Sequence, residues 1–363
     1  MLYKSYFTSN KINQEIFNKK INWFFDIKSI LYQEKNNYKE ETYRYANILK
    51  KDYLKIQTKK FKKHIKNEIQ IKDFNKSKFL IKDKSFKKKY ITLFNYLKKH
   101  KVRKYIKHFF VHGSIASDDY IKGWSDFDTF VILENSIFDN IKSIIKLRNT
   151  LKNFYKKLLS VSYFQHHGLI FYTEIDLNNY LKGYLPKEAL NKSFSIYGKQ
   201  KIILRENNLN SNLSLKSLKE RKKYLYQGLI SGFYDHHAYK GEKLKIPLKA
   251  GNNQMYQLFC HLGYMLNIPI LYFDATKRSI HKKKSFKKFY SEINDKNILD
   301  LIKKTEQIRK NWNKNKFEKR RIPRWVVDKI GMDYMKNSYI LIKKTILLIN
   351  KYNKKLKIPS KSV

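Results

Sequence analysis

Cysteine is almost missing: Cys260 stands alone in 363 residues, so no internal disulfide can form and a disulfide-stapled scaffold is excluded. Acidic residues are few, 30 against 79 Lys+Arg, which leaves a net charge of +49. Arginine is also rare, so lysine makes up most of the basic residues. No apolar run approaches the roughly 20 residues needed to span a bilayer, and Tyr339 to Ile349, the most apolar late stretch, is broken by Lys343 and Lys344. Met1 to Asn10 lacks the apolar centre of a signal peptide. A cytoplasmic protein without a membrane partner is the expectation. No repeat of fixed period is visible, which argues against a solenoid.

What is present is enough to build cores. Hydrophobic residues are 42% of the chain and aromatic residues 15%, so a wholly disordered basic tail is excluded, and the length suits about two to three domains. The charge attracts polyanions of any kind. A chain selected to grip phosphate, however, would favour the forked guanidinium of arginine over lysine. The lysine excess, with abundant Asn, Ile, Tyr and Phe, matches A/T-rich coding, and non-specific polyanion binding is the expected consequence.

Periodicity divides the chain into three parts. Tyr45, Leu49, Tyr53 and Ile56, then Phe86, Tyr90, Leu93, Phe94 and Leu97, have helix-face spacing, so residues 1–100 read as a helical, basic lead-in. Short apolar runs at His108 to Val111 and Phe130 to Leu133 read as strands. A helix over Ile137 to Leu158 follows, then a third strand over Gly168 to Leu177 and a fourth at Lys201 to Leu204. The fold class is α+β, with a mixed-sheet domain over 101–206. After a polar boundary at Asn207 to Ser214, helical periodicity dominates 214–363, with Val326 to Ile349 as one candidate helix.

The chemistry concentrates between the first two strands. One strand closes at Gly113-Ser114, a loop of eleven residues follows (115 to 125), and Asp126 and Asp128 open the next strand. Residues two apart on a strand share a face, so the two carboxylates converge. Gly113 lets the backbone approach phosphate oxygens, Ser114 adds a hydroxyl donor, and the carboxylate pair suits Mg²⁺ carrying a phosphate chain. The competing reading is a glycine turn beside two surface aspartates. It requires dipeptide, spacing, carboxylate pair and flanking strands to coincide by chance.

These residues resemble the nucleotidyltransferase superfamily, which includes DNA polymerase beta, the poly(A) polymerases and kanamycin nucleotidyltransferase. The shared signature is Gly-Ser or Gly-Gly after an apolar strand, a loop of about ten residues, then Asp-x-Asp or Asp-x-Glu on the next strand. The match is close over roughly residues 105 to 135 and weaker to about 205. It implies a polymerase beta-like catalytic domain that binds a nucleoside triphosphate with two Mg²⁺ ions on Asp126 and Asp128 and transfers a nucleotide to an acceptor hydroxyl. It also implies a third carboxylate on a neighbouring strand, completing the metal site or taking the acceptor proton. Glu174 and Asp176 share strand parity there, so alternation does not choose between them, and the apolar neighbours Ile175 and Leu177 favour Asp176 as the family position. The order of catalytic unit, then helices closing over the substrate, resembles the aminoglycoside nucleotidyltransferases. A small-molecule acceptor is therefore preferred to RNA or a protein hydroxyl, and the remaining alternative is an inactive nucleic-acid- or protein-binding module of the same fold.

Other candidates are weaker. Lys122, in the loop, is a candidate to reach the triphosphate, as are the Arg221-Lys222-Lys223 and Lys282-Lys283-Lys284 clusters, because a leaving pyrophosphate needs cations at its outer oxygens. In a chain this rich in lysine, however, each reads first as a solvated face. His166-His167 and His236-His237 do not converge within either pair, although His167 or His236 could each touch substrate. Tyr256, Phe259, Tyr264, Tyr272 and Phe273 fit a helical core better than a base-stacking surface.

Overall fold

The computed structural model describes residues 7, 12–59, 65–74, 84–99, 101–116, 119–162, 165, 168–181, 184–185, 187–206, 213–235, 243–248, 255–278, 280, 282–312 and 322–356. About 66% of these are helical, and the fold is α+β with a small mixed sheet. The chain forms two compact units, within residues 3–209 and, apart from residues 1–2, within 210–363.

In the first unit the order is α1 (Gln14–Phe24), α2 (Ile27–Lys35), α3 (Lys39–Gln57), β1 (Ile65–Gln70), β2 (Lys72–Asp73), α4 (Lys84–Lys99), β3 (Ile106–Val111), α5 (Gly113–Ala116), β4 (Thr129–Leu133), α6 (Ile141–Leu159), β5 (Phe171–Tyr172), α7 (Glu174–Asn178), α8 (Lys187–Leu190), β6 (Phe194–Tyr197) and β7 (Lys201–Glu206). The main sheet runs β2-β6-β3-β4-β5, and β1 pairs with β7 apart from it. Neighbours β3 and β4 are antiparallel, and β4 and β5 are parallel. One face buries Phe110, Phe130, Ile132 and Tyr172 with Ile202 and Leu204 of β7. On the other, Phe109 and Phe127 meet, and Phe127 packs on Phe154 of α6.

Residues 1–100 are not wholly helical, which corrects the sequence reading: β1 pairs antiparallel with β7, and β2 parallel with β6. The helices are not a solvated lead-in either. Strand β5 is a sheet edge, and Asn22 of α1 brackets it, accepting from the Phe171 N–H at 2.7 Å and donating to the Phe171 carbonyl at 2.9 Å. An amide side chain thereby takes the place of a further strand and satisfies backbone groups an edge leaves unpaired. Tyr155 of α6 completes the seam, donating to the Phe25 carbonyl at 2.7 Å and accepting from the Leu169 N–H at 3.0 Å.

His108 of β3 is buried and stacks parallel on Phe110 at 5.7 Å. Its Nδ1 accepts the Lys199 N–H at 2.9 Å. Burial, with Lys107 and Lys199 adding to it, lowers its pKa to about 4. The unfolded ring takes up a proton near pH 6.5 while the folded ring stays neutral, so its contribution is present above pH 6.5 and lost as pH falls towards 4. Denaturation at pH 7 and pH 4.5 should show a loss of about 2 to 3 kcal/mol that largely disappears in His108→Asn, which keeps an acceptor for Lys199. An equal loss in both proteins would place the acid sensitivity elsewhere.

The second unit contains α9 (Leu213–Ser231), β8 (Phe233–Asp235), β9 (Lys243–Lys245), α10 (Met255–Met265), α11 (Ile268–Ala275), α12 (Lys282–Glu292), α13 (Lys296–Lys310), α14 (Arg324–Ile330) and α15 (Tyr334–Leu356). The single helix expected over Val326 to Ile349 is two, divided at Gly331 with φ of 76°. Phe259, Tyr272 and Phe273 are core residues. Among the described residues, no helix is long and apolar enough to cross a membrane.

Candidate active site

The Gly113 turn and Asp128 meet in space. Strand β3 ends at Val111, and the His112 N–H donates to the Asp128 carbonyl at 3.1 Å, extending the β3/β4 ladder one step. Gly113 then turns with φ of 70° and begins α5. A Cβ built on Gly113 would fall inside the contact distance of Asp128 Oδ2 and lie 3.1 Å from its Cγ. The Asp128 carboxylate thus occupies the space a side chain at 113 would need, in a left-handed conformation that already favours glycine. Gly113→Ala should cost about 1 to 3 kcal/mol and displace Asp128, so a thermal midpoint unchanged from the parent would show that the two do not press on each other.

Asp126 and Asp128 flank Phe127, which is fully buried against Tyr90, Phe94 and Phe109. Both aspartates, two residues apart, are half-buried. They precede β4 rather than open it. Gln165 keeps the segment extended: it accepts from the Phe127 N–H at 2.7 Å, and its Nε2 donates to the Phe127 carbonyl at 3.3 Å. The loop before it is closed by Ser125, whose Oγ accepts from the Ile121 N–H at 2.9 Å and whose N–H donates to the Ile121 carbonyl at 2.8 Å. Ser114 is half-buried as the second residue of α5, and Lys122 is exposed in the turn ahead of Ser125.

Neither expected third carboxylate joins the pair, and the strand predicted over Gly168 to Leu177 is only Phe171–Tyr172. Thr173 is the N-cap of α7, with Asp176 at its third position in a capping box. The register explains the separation. Tyr172 lies beside Ile132 in parallel, so Glu174 emerges past the end of β4, about 20 Å along the sheet from Asp128 at one strand rise per residue. There it pairs with Lys107 at the start of β3 and accepts from Asn135 Nδ2 at 2.6 Å. The hydrogen bond from Lys107 is the main cause of its lowered pKa. Asp176 is 0% exposed. It accepts from the Thr173 N–H and Oγ1 at 2.8 Å each, Tyr184 OH at 2.6 Å, and Gln14 and Asn18 amides at 3.2 Å each. Burial raises its pKa in spite of these donors. Its work is to tie α1 to α7.

Tyr90 is the residue that periodicity underrated. On α4 it reads as one more buried position, yet its hydroxyl is held well above the usual tyrosine range by burial first, then by Tyr120 and by the charges of Asp126 and Asp128. A hydroxyl on a face otherwise built from Phe and Leu was the available signal. Arg221 is the opposite case. Its Nη2 lies 2.8 Å from His261 Nδ1 and its guanidinium 4.8 Å from the Tyr264 ring, all within the second unit, so it is a core cation and not one reaching for phosphate. Lys222 and Lys284 lie on helices of that unit. The side chains of Lys283 and Tyr256, the pairs His166-His167 and His236-His237, and the turn at 249–253 lie outside the described residues.

The fold and site together define an α+β protein in which Asp128, two residues after Asp126, lies against the Gly113 turn at the end of a strand of the mixed sheet. No known protein family, curated protein or solved structure matches the chain.

Proposed function

We propose that the chain is a Mg²⁺-dependent nucleotidyltransferase. The observation that carries this reading is the close approach of Asp128 to Gly113, which leaves no space for a side chain on the glycine. A glycine turn pressed against one of two carboxylates is a reason for the dipeptide and the Asp-x-Asp to occur together, and a surface turn supplies none.

The residues fit a hard divalent cation held partly by substrate. Among the described residues no group of three or more His, Cys, Asp or Glu converges, so Asp126 and Asp128 would supply the protein ligands, with water and phosphate oxygens completing the shell as Mg²⁺ prefers. When bound, two such ions orient the triphosphate and activate the acceptor hydroxyl. Gly113 admits phosphate close to the backbone, the Ser114 hydroxyl donates to a phosphate oxygen, and Lys122 supplies a cation from the loop. The neutral hydroxyl of Tyr90 remains a donor beside the carboxylates. The acceptor oxygen bonds to the α-phosphorus, the bond to the β-phosphate oxygen breaks, and pyrophosphate leaves. The acceptor proton passes to solvent, since Glu174 and Asp176 are engaged elsewhere. Catalysis is positional and electrostatic.

A small-molecule hydroxyl is the proposed acceptor. That no third carboxylate joins the pair among the described residues favours a second reading, a binding module of this fold that has no turnover. Incubation with each labelled nucleoside triphosphate, Mg²⁺ and a metabolite pool separates them: label entering an acceptor with matching pyrophosphate release supports the transferase, while triphosphate binding without release supports the module.

A further inference from the structure

A groove on the first unit, between the end of α2, the start of α3 and the outer face of α6, has no part in the carboxylate site. It consists of two adjoining hollows of about 370 and 310 Å³ that share Tyr43, Ile145 and Asn149. Five basic side chains border it, Lys39, Lys142, Lys146, Arg148 and Lys152, against one carboxylate, Glu34, although Arg148 is buried and held by Ser29 and Gln33. That ratio exceeds the 79 to 30 of the whole chain. Glu34 is already engaged, 2.7 Å from Lys152 and 3.0 Å from Lys156. Lys39, Lys142 and Lys146 make no ion pair among the described residues.

Aromatic rings gather at the same place. Tyr38 is 43% exposed and Tyr43 46%, both lining the groove, and Tyr32, 43% exposed, stacks on Tyr38 at 6.2 Å. These are three of the five strongly exposed aromatic rings among the described residues. Burying them in the core would have been favourable, and most of the described rings are buried. Along α6, Asn149 and Asn153 line the wall and make no side-chain hydrogen bond among the described residues. Unpaired cations beside open tyrosine faces and free amides match single-stranded RNA: phosphates for the lysines, bases for the rings, and base edges and 2′-hydroxyls for the amides. A duplex hides its base faces, and a lipid surface has no use for a concave amide wall.

We propose that this groove binds single-stranded RNA. The proposal is independent of the catalytic reading, since none of its residues belongs to that site. Fluorescence anisotropy of labelled twelve-nucleotide RNA on the full chain near physiological salt tests it, with single-stranded DNA and duplex RNA of the same length as comparisons. Single-stranded RNA should bind tightest. Tyr38→Ala combined with Tyr43→Ala should weaken it at least about tenfold with little change in salt dependence, because two stacked bases together contribute more than that. Lys142→Gln combined with Lys146→Gln should reduce the slope of log affinity against log salt by roughly 1.4, at about 0.7 per lost single-strand phosphate contact. Tyr226→Ala, an exposed ring of the second unit, should bind as the parent does. Unchanged binding by the tyrosine pair, equal or better binding of duplex or DNA, or an equal loss of binding in Tyr226→Ala would each overturn the assignment.

Discussion

Asp126→Asn and Asp128→Asn should each lower pyrophosphate release at least about a hundredfold to a thousandfold, the scale for removing one preorganised electrostatic group from a reacting centre. Neither should unfold the protein. Asparagine keeps the shape that presses on Gly113, and two carboxylates on one face repel each other when no cation lies between them, so the thermal midpoint should stay level or rise. Mg²⁺ supplies a second measurement. The parent should gain thermal stability as Mg²⁺ and a triphosphate are added, through linkage to the folded state, and the variants should gain much less. Parent-like turnover in both variants with a verified acceptor would remove the proposed role of the pair.

Asp176→Ala should have the largest effect on stability, about 3 to 5 kcal/mol, the scale for breaking a buried charged network from one side. Five hydrogen bonds converge on this carboxylate, and their donors have no water to turn to. For a unit of this size that lowers the thermal midpoint by roughly 10 °C. Glu174→Ala, by contrast, removes a half-exposed pair with Lys107 and should cost under about 1 kcal/mol. Turnover per folded molecule should be unchanged in both. A hundredfold loss in a folded Asp176→Asn variant would return this residue to the reaction.

The sequence carried the site better than its surroundings, and the reason is range. Gly113-Ser114 follows one strand and Asp126-Phe127-Asp128 precedes the next, and those two strands pair with each other, so alternation and loop length describe the motif without reference to the rest of the chain. The third carboxylate failed because two local rules competed over Tyr172-Thr-Glu-Ile-Asp-Leu177. Alternation says strand, while Thr173 followed three residues later by Asp176 says helix N-terminus, and Gln14 and Asn18 decided for the helix. Strand β1 was hidden for another reason. Lys66, Asn67 and Glu68 show no alternation and read as a continuation of the helical lead-in, and only the partner strand β7 makes them a strand. The amide brackets formed by Asn22 and Gln165 have no sequence signature, because each depends on a backbone segment far away in the chain.

The pairing of β1 with β7 and β2 with β6 has a kinetic consequence. Each joins residues separated by well over a hundred positions, so the chain must close a very long loop before those contacts return any free energy. The β3/β4 hairpin and the capped helices can form early during synthesis, but the first unit cannot finish until residue 206 has left the ribosome. Until then β3 offers an open flank to any extended segment nearby. Slowing translation across residues 190–206 should raise aggregation of nascent chains, and the same pause after residue 230 should not.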